Sequence, residues 1–395
     1  MSLDISRLRE ETPACRNIVH LNNAGASLVP SPVQKVVLDY LDLEQKIGGY
    51  EAEEECAGAL TGVYDSLARL VNCRPQEIAI TQNATRAWDM VFYGLPLGKG
   101  DRILTCRSEY ASNYIAFLQR CRQTGAEIVV VEDEPDGSVC LEALERALDE
   151  RVKVVAINHM PTNSGLVQPA AEIGSILQNH PAFFLLDACQ SVGQTPLDVQ
   201  RLGCDALTCT SRKYLRGPRG VGFLFMKQQH LENFEPPFLD LHAATWTAPS
   251  EYTLKGDGRR FETYEIFAAG KLGLGAAADY ALQVGLEEAW DRLGSLAESA
   301  RGRLSALPGV KVHDLGKHRS GIVTFTVDGL SPPEVRRLLR SERVNVWSST
   351  VRSARLDMEA RGLDEVVRAS FHYFNTEQEV EALVSQVAKM QGCPI

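Results

Sequence analysis

The sequence predicts an α/β fold: a mostly parallel, seven-stranded sheet with helices on both faces, followed by a smaller α+β domain. Three observations carry this. Seven short runs, apolar along their whole length, lie between residues 77 and 226. Helix-length amphipathic stretches separate them, and strands that are apolar on both faces belong in a sheet covered on both sides. Beyond residue 260 the pattern changes to long helices mixed with a few strands.

The strand candidates in order are EIAIT (77–81), DRILTC (101–106), AEIVVVED (126–133), VKVVAINHM (152–160), AFFLLD (182–187), DALTCT (205–210) and GVGFLFM (220–226). TRAWDMVFYG, SNYIAFLQRCRQTG and LEALERALDE supply helices between them. From EIFAAG to LSAL (265–307) the chain reads as one long helical stretch. Strands are then expected in VKVHDL, GIVTFTVDG, VNVWSS and VVRASFHYF, with helices in SPPEVRRLLRSE and NTEQEVEALVSQVAKM. The last helix opens at Asn375 or Thr376, with Glu377 and Glu379 in its first turn, where acids suit the positive helix end. Gly273-Leu274-Gly275-Ala276-Ala277-Ala278 fits a loose dinucleotide-binding pattern, but it lies inside a helical run rather than after a strand. Small-residue packing is the better account.

Composition narrows the function. With 395 residues, 44% apolar and 23% charged, the chain can bury a full core without staples. Its net charge of −10 disfavours a nucleic-acid coat or an anionic membrane surface as partner, so any anionic ligand needs a local cluster of donors. The amino terminus is polar, and no apolar run reaches the ~20 residues of a membrane span. Ten cysteines are scattered without a CxxC pair, which predicts reduced thiols, no metal site and a cytoplasmic protein.

Ligands of open α/β sheets bind beyond the carboxyl ends of the strands, so the residues following each strand matter most. Asp187 ends an entirely apolar strand, where a carboxylate needs a partner such as a protonated ring nitrogen; a helix cap is the plainer alternative. Lys213 stands in Ser211-Arg212-Lys213-Tyr214-Leu215-Arg216-Gly217, a tight basic turn past the next strand in the chain. An amine beside Arg212 and an apolar strand is a candidate for the lowered pKa that imine chemistry needs. Gln82-Asn83-Ala84-Thr85 opens a helix, and free N–H groups there plus a hydroxyl can seat a phosphate.

In order and spacing these features resemble the fold type I pyridoxal phosphate (PLP) enzymes, specifically the class V aminotransferase and cysteine desulfurase branch, with isopenicillin N epimerase-like proteins nearby. DACQSVGQTPLDV followed by TSRKYLRGPRGVGF carries the likeness, which extends from His20-Leu21-Asn22-Asn23-Ala24-Gly25 to Arg368-Ala369-Ser370-Phe371-His372. It implies a three-layer PLP-transferase architecture with a large domain over 20–265 and a small domain from 1–19 and 266–395. It implies a homodimer acting on an amino acid by removing its Cα proton. Lys213 matches the lysine that holds PLP covalently and moves that proton, and Asp187 the acid on the pyridinium nitrogen. Gln190 and Thr162 match residues near the phenolic oxygen. Ala84, Thr85, Thr210 and Arg212 match the phosphate seat, and Tyr110 the group that stacks on the ring. Arg368 matches the arginine that grips the substrate carboxylate, with Asn23 beside it.

Two departures refine the expectation. Where desulfurases carry a sulfur-accepting cysteine, this chain reads Asn345-Val346-Trp347-Ser348-Ser349-Thr350-Val351-Arg352. Where many relatives carry a Gly-Thr that reaches the partner's phosphate, it reads Arg260-Phe261-Glu262-Thr263-Tyr264-Glu265. C–S β-elimination from a cysteine-like substrate is the leading expectation, with transamination to a 2-oxo acid and epimerisation as alternatives that share the same residues.

Overall fold

The computed structural model describes residues 3–392. All seven expected runs form strands of one sheet: β1 Ile78–Thr81, β2 Arg102–Thr105, β3 Glu127–Val130, β4 Val152–Asn158, β5 Phe183–Asp187, β6 Ala206–Thr210 and β7 Gly222–Met226. Their order across the sheet is β1-β7-β6-β5-β4-β2-β3. Only β7 runs against its neighbours, pairing antiparallel with both β1 and β6. The carboxyl ends of β4, β5 and β6 therefore open on one edge, with Asn158 beside Asp187 and Asp187 beside Thr208.

Helices α1 Ser31–Ile47 and α2 Ala57–Val71 precede the sheet. Helices α3 Ala84–Phe92, α4 Ala111–Thr124 and α5 Ala170–Leu177 connect its strands. The expected long helix is two, α6 Ala268–Val284 and α7 Leu286–Ser305, broken at Gly285, whose φ of 87° ends one helix and starts the next. The glycine pattern within α6 is a packing surface. A Cβ on Gly273 would lie 2.6 Å from Val37 and 2.9 Å from Pro218, and one on Gly275 would lie 2.9 Å from Val63.

The exposed hairpin of β8 Ala244–Ala248 and β9 Glu251–Leu254 has no counterpart in the sequence-based expectation. A second, four-stranded sheet contains β10 Val310–Val312, β11 Ile322–Val327, β12 Trp347–Thr350 and β13 Glu365–Ser370, in the order β10-β11-β13-β12. Helices α8 Pro332–Ser341 and α9 Glu377–Met390 pack on it. Thr376 caps α9 in a capping box with Glu379. A short strand at Val19–His20 pairs with Val344–Asn345 in a separate two-stranded sheet, and a bridge from Asn22 to Ser370 ties the amino-terminal segment to β13.

The packing changes later than residue 265. Helix α6 buries Leu274, Ala277, Ala278 and Ala281 in the same cluster as the large sheet, whereas the cluster around the second sheet takes Leu21 and then resumes only at Leu296. The reason is the small-residue face of α6, which lets α1 and α2 approach closely enough to seal it into the larger core. Leu8, from the segment expected in the small domain, also joins that larger cluster.

Candidate active site

The turn that carries Lys213 is held from all sides. Ser211 N–H donates to Val221 O at 3.2 Å, Gly217 N–H to Ser211 O at 2.9 Å and Ser27 N–H to Arg212 O at 2.8 Å. Arg216, only 1% exposed, anchors the turn from below. Its guanidinium donates to Leu28 O at 2.9 Å, the Tyr373 hydroxyl at 2.9 Å and Thr12 Oγ1 at 2.6 Å, and it stacks 4.4 Å from the Phe374 ring centre. A Cβ on Gly193 would fall 2.5 Å from the Tyr214–Leu215 backbone, so the loop after β5 can close against the turn only at a glycine. The sequence reading did not single out Arg216; its φ of 61° and full burial come only from the fold.

Lys213 itself is half-buried, and its Nζ lies 5.9 Å from the centre of the Tyr110 ring. Burial lowers its pKa, Asp187 and Cys189 oppose the shift, and the nearby charges of Arg212 and Arg368 reinforce it. Asp187, 6% exposed, accepts from Cys189 N–H at 2.9 Å and from Asn113 Nδ2 at 3.0 Å. Gln190 donates to Ala24 O at 3.2 Å, which leaves its buried Oε1 without a partner among the described residues.

Arg368 projects from β13 into the same cleft. Its Nη1 donates to Thr162 Oγ1 at 2.5 Å and to Thr162 O at 3.2 Å, its Nη2 reaches Asn22 Oδ1 at 3.4 Å, and its buried Nε is unpaired among the described residues. Burial pushes its pKa down to about 10. Asn23 does not share this position. It is fully buried, donates to Ser370 O at 2.7 Å and His20 O at 3.3 Å, and accepts from Ser27 Oγ at 2.7 Å. The expectation that Asn23 meets substrate is therefore corrected. Its amide holds two backbone segments together, and Asn22 is the neighbour that faces Arg368.

At the start of α3, Asn83 Oδ1 caps Arg86 N–H at 2.9 Å, leaving the N–H groups of Ala84 and Thr85 unpaired within the helix. Gly222 brings this helix start against β6, because a Cβ there would lie 2.3 Å from Cys209 O and 3.3 Å from Ala84 N. Thr210, which ends β6, pairs with Gly222. Arg212 bonds through its guanidinium to Gly25 O, and burial lowers its pKa. The fold thus gathers Lys213, Asp187, Gln190, Tyr110, Thr162, Arg212 and Arg368 around one cleft, with Ala84, Thr85 and Thr210 at the adjoining helix start.

The segment that the resemblance sets where desulfurases carry a sulfur-accepting cysteine is tied down by polar bonds. Ser349 Oγ donates to Asn163 Oδ1 at 2.5 Å, and Asn163 Nδ2 donates to Ser353 Oγ at 3.0 Å. Thr263 accepts from Gln82 Nε2 of its own chain at 2.7 Å. A separate cavity of about 930 Å³ lies between α5, the start of α7 and His318. None of the expected site residues lines it, so it is not the cleft described here.

The donor set fits PLP. One poorly solvated amine can bond an aldehyde, one buried acid can face a basic ring nitrogen, and helix-start N–H groups with Arg212 can meet a phosphate. The orphaned Gln190 Oε1 and Arg368 Nε are buried polar atoms that a ligand in the cleft would satisfy.

A helix-covered, mostly parallel sheet with a lysine turn beyond it and a second sheet supplying an arginine defines a class of cofactor-dependent transferases and lyases. The class-V aminotransferase model matches residues 19–383, and the chain belongs to that family. A protein of Halalkalibacterium halodurans described as a probable cysteine desulfurase is 31% identical over 387 residues, covering 94% of this chain and 93% of the relative. The apo structure of a cysteine desulfurase from Thermococcus onnurineus NA1 superposes with a TM-score of 0.93 at 25% identity, covering 99% of both chains. The cystine C–S lyase C-DES, in complex with its reaction product cysteine persulfide, superposes with a TM-score of 0.85 at 26% identity, covering 95% of this chain and 99% of its own. A C-DES mutant with glycine covalently linked to the PLP cofactor has a TM-score of 0.86 at 25% identity, covering 96% and 98%.

Proposed function

We propose that this chain is a PLP-dependent C–S lyase acting on cysteine or a close derivative. The single observation that carries the reading is the Lys213 amine, made less basic by burial in a cleft that also holds Asp187 and the unpaired edge of Arg368. The likeness to cysteine desulfurases and to C-DES supports the substrate class.

When bound, PLP supplies a protonated pyridine ring that can accept the electron pair left on the substrate's Cα. Lys213 Nζ takes the Cα proton, and its lowered pKa leaves more of it in the neutral, basic form at pH 7 than an ordinary lysine. The Asp187 carboxylate, oriented by Cys189 N–H and Asn113, holds the proton on the ring nitrogen. Arg368 binds the substrate carboxylate, with Thr162 and Asn22 fixing the guanidinium plane. Gln190 and Thr162 would hold the phenolic oxygen of the bound cofactor, Tyr110 would pack on its ring, and Ala84, Thr85, Thr210 and Arg212 would hold its phosphate.

With serines in place of a loop cysteine at 345–352, released sulfur leaves in solution rather than on this segment. Cysteine then yields pyruvate, ammonia and sulfide. Cystine yields pyruvate, ammonia and cysteine persulfide.

We place the protein as a homodimer in the cytoplasm. Support for the dimer comes from an exposed apolar tract beside α3: Phe238, Leu241, Trp246 and Tyr252 are 56%, 73%, 79% and 50% exposed, and Arg86 of α3 stacks 4.7 Å from Phe238. Free thiols at the nine described cysteines support a reducing compartment. No described helix is long and apolar enough to cross a membrane.

The test is product analysis of the purified, PLP-loaded protein with cystine and cysteine, beside Lys213→Ala. Pyruvate and ammonia in equal amounts, lost in K213A together with the visible cofactor band, are expected. Amino transfer to a 2-oxo acid without pyruvate or ammonia would overturn the lyase assignment.

A further inference from the structure

Glu109 is a buried acid that the chemistry above leaves unused. It lies between β2 and α4, 3% exposed, and accepts three hydrogen bonds. They come from Tyr110 N–H at 2.7 Å, Asn113 Nδ2 at 2.9 Å and Thr105 Oγ1 at 3.1 Å. The same Asn113 nitrogen donates to Asp187 Oδ2 at 3.0 Å. One amide therefore bridges two carboxyl groups whose facing oxygens are at most about 6 Å apart, two hydrogen-bond lengths end to end.

The titratable groups acting on Glu109 are Asp187 at the end of β5 and the buried thiol of Cys106 just beyond β2. Its three hydrogen-bond partners among the described residues are neutral, so none of them compensates a charge there. Burial, then the charge of Asp187, push its carboxyl up to about 8 against the pull of the three donors. When Glu109 is protonated its O–H needs an acceptor. Thr105 Oγ1 is the partner that can reverse its role, since the backbone and amide N–H groups only donate.

We propose that Glu109 is a positioning residue. Through the Asn113 amide it fixes the Asp187 carboxylate, and by its own ionisation it sets how tightly the PLP ring nitrogen keeps its proton. The inference rests on the PLP reading above. With Glu109 neutral, Asp187 alone presents negative charge to the ring nitrogen. With Glu109 ionised, a second charge in a poorly solvated site raises the proton affinity of the group facing Asp187, on the order of tenfold. The sequence signal is slight: a glutamate just before α4 and an asparagine four residues on, in its opening turn.

The experiment is ¹⁵N NMR of the holoenzyme loaded with PLP labelled at its ring nitrogen, followed from about pH 6.5 to 9.5 around the Glu109 titration. In the unsubstituted protein the ring-nitrogen resonance should step as Glu109 ionises. In Glu109→Gln, which keeps an acceptor for Tyr110 and Asn113 and a donor toward Thr105, the step should vanish. A step of unchanged size in E109Q overturns the proposal. So does a flat resonance in the unsubstituted holoenzyme, which decides the matter even if the variant does not fold. Failure of the underlying PLP reading is distinguishable, because the unsubstituted protein would then take up no cofactor, and both conclusions would fall together.

Discussion

Gly222→Ala should damage the cleft from behind, and its cost can be worked from geometry. Gly222 opens β7 and pairs with Thr81 on one side and Thr210 on the other. Its backbone needs no positive φ, so the objection to alanine is purely steric. The added carbon would lie 2.3 Å from Cys209 O, 3.2 Å from Asn83 C and 3.3 Å from Ala84 N. Backbone atoms would have to separate by about 1 Å, and overpacking of this kind costs about 1–3 kcal/mol. In a chain of this size that is a fall in Tm of about 1–4 °C. The direction of relief matters more than the total: it moves the start of α3 away from Thr210, parting the groups assigned to the phosphate. Losing one charge-assisted hydrogen bond, about 1.5–3 kcal/mol, weakens PLP binding roughly 10- to 150-fold. Gly174→Ala is the control. Its Cβ would meet Leu202 O at 2.0 Å in the helix layer and none of the site residues. Calorimetry and PLP titration of both variants should show similar melting losses but weak cofactor binding in G222A alone. Equal PLP affinity in the two would refute the placement of the phosphate at the start of α3.

Three further outcomes are expected. Arg368→Ala should raise KM with a loss of roughly 2–3 kcal/mol in kcat/KM, or about 30- to 150-fold, by removing the substrate-carboxylate contact; steady-state kinetics with unchanged KM would contradict that role. Because burial holds the Lys213 pKa below its ordinary value, and attack needs the neutral amine, covalent PLP uptake by the apo protein should rise with pH through a midpoint below the ordinary lysine range of about 10.4. Removing one of the cations that lower it, in Arg212→Ala, should move that midpoint upward; a midpoint that moves downward or stays fixed counts against the electrostatic account. Trp246→Asp, placing a charge on a side chain 79% exposed in the β8–β9 hairpin, should shift sedimentation from dimer toward monomer if a second copy covers that face.

How much was legible in the sequence depended on the range of the forces involved. Strands buried on both faces must be apolar throughout, so all seven runs of the large sheet declared themselves, as did the capped final helix. Asp187 and Lys213 could be picked out because each places a charge at the end of an apolar run, where nothing local can compensate it. What required the tertiary structure were choices between chemically equal neighbours and partnerships across long separations. Asn22 and Asn23 are indistinguishable as residue types, and only the packing against Ser370 and Ser27 decides which of them is consumed by backbone. Gly285 was one glycine among several in a helical run until its left-handed φ split the helix. The close approach of α1 and α2 to the glycines of α6 moved the edge of the large core past residue 265. Glu109 and Asp187, 78 positions apart in the chain, are joined by one amide only after β2 and β5 enter the same sheet. Local pattern reports whether a side chain is buried; which groups share that buried space is settled by the crossing of distant segments.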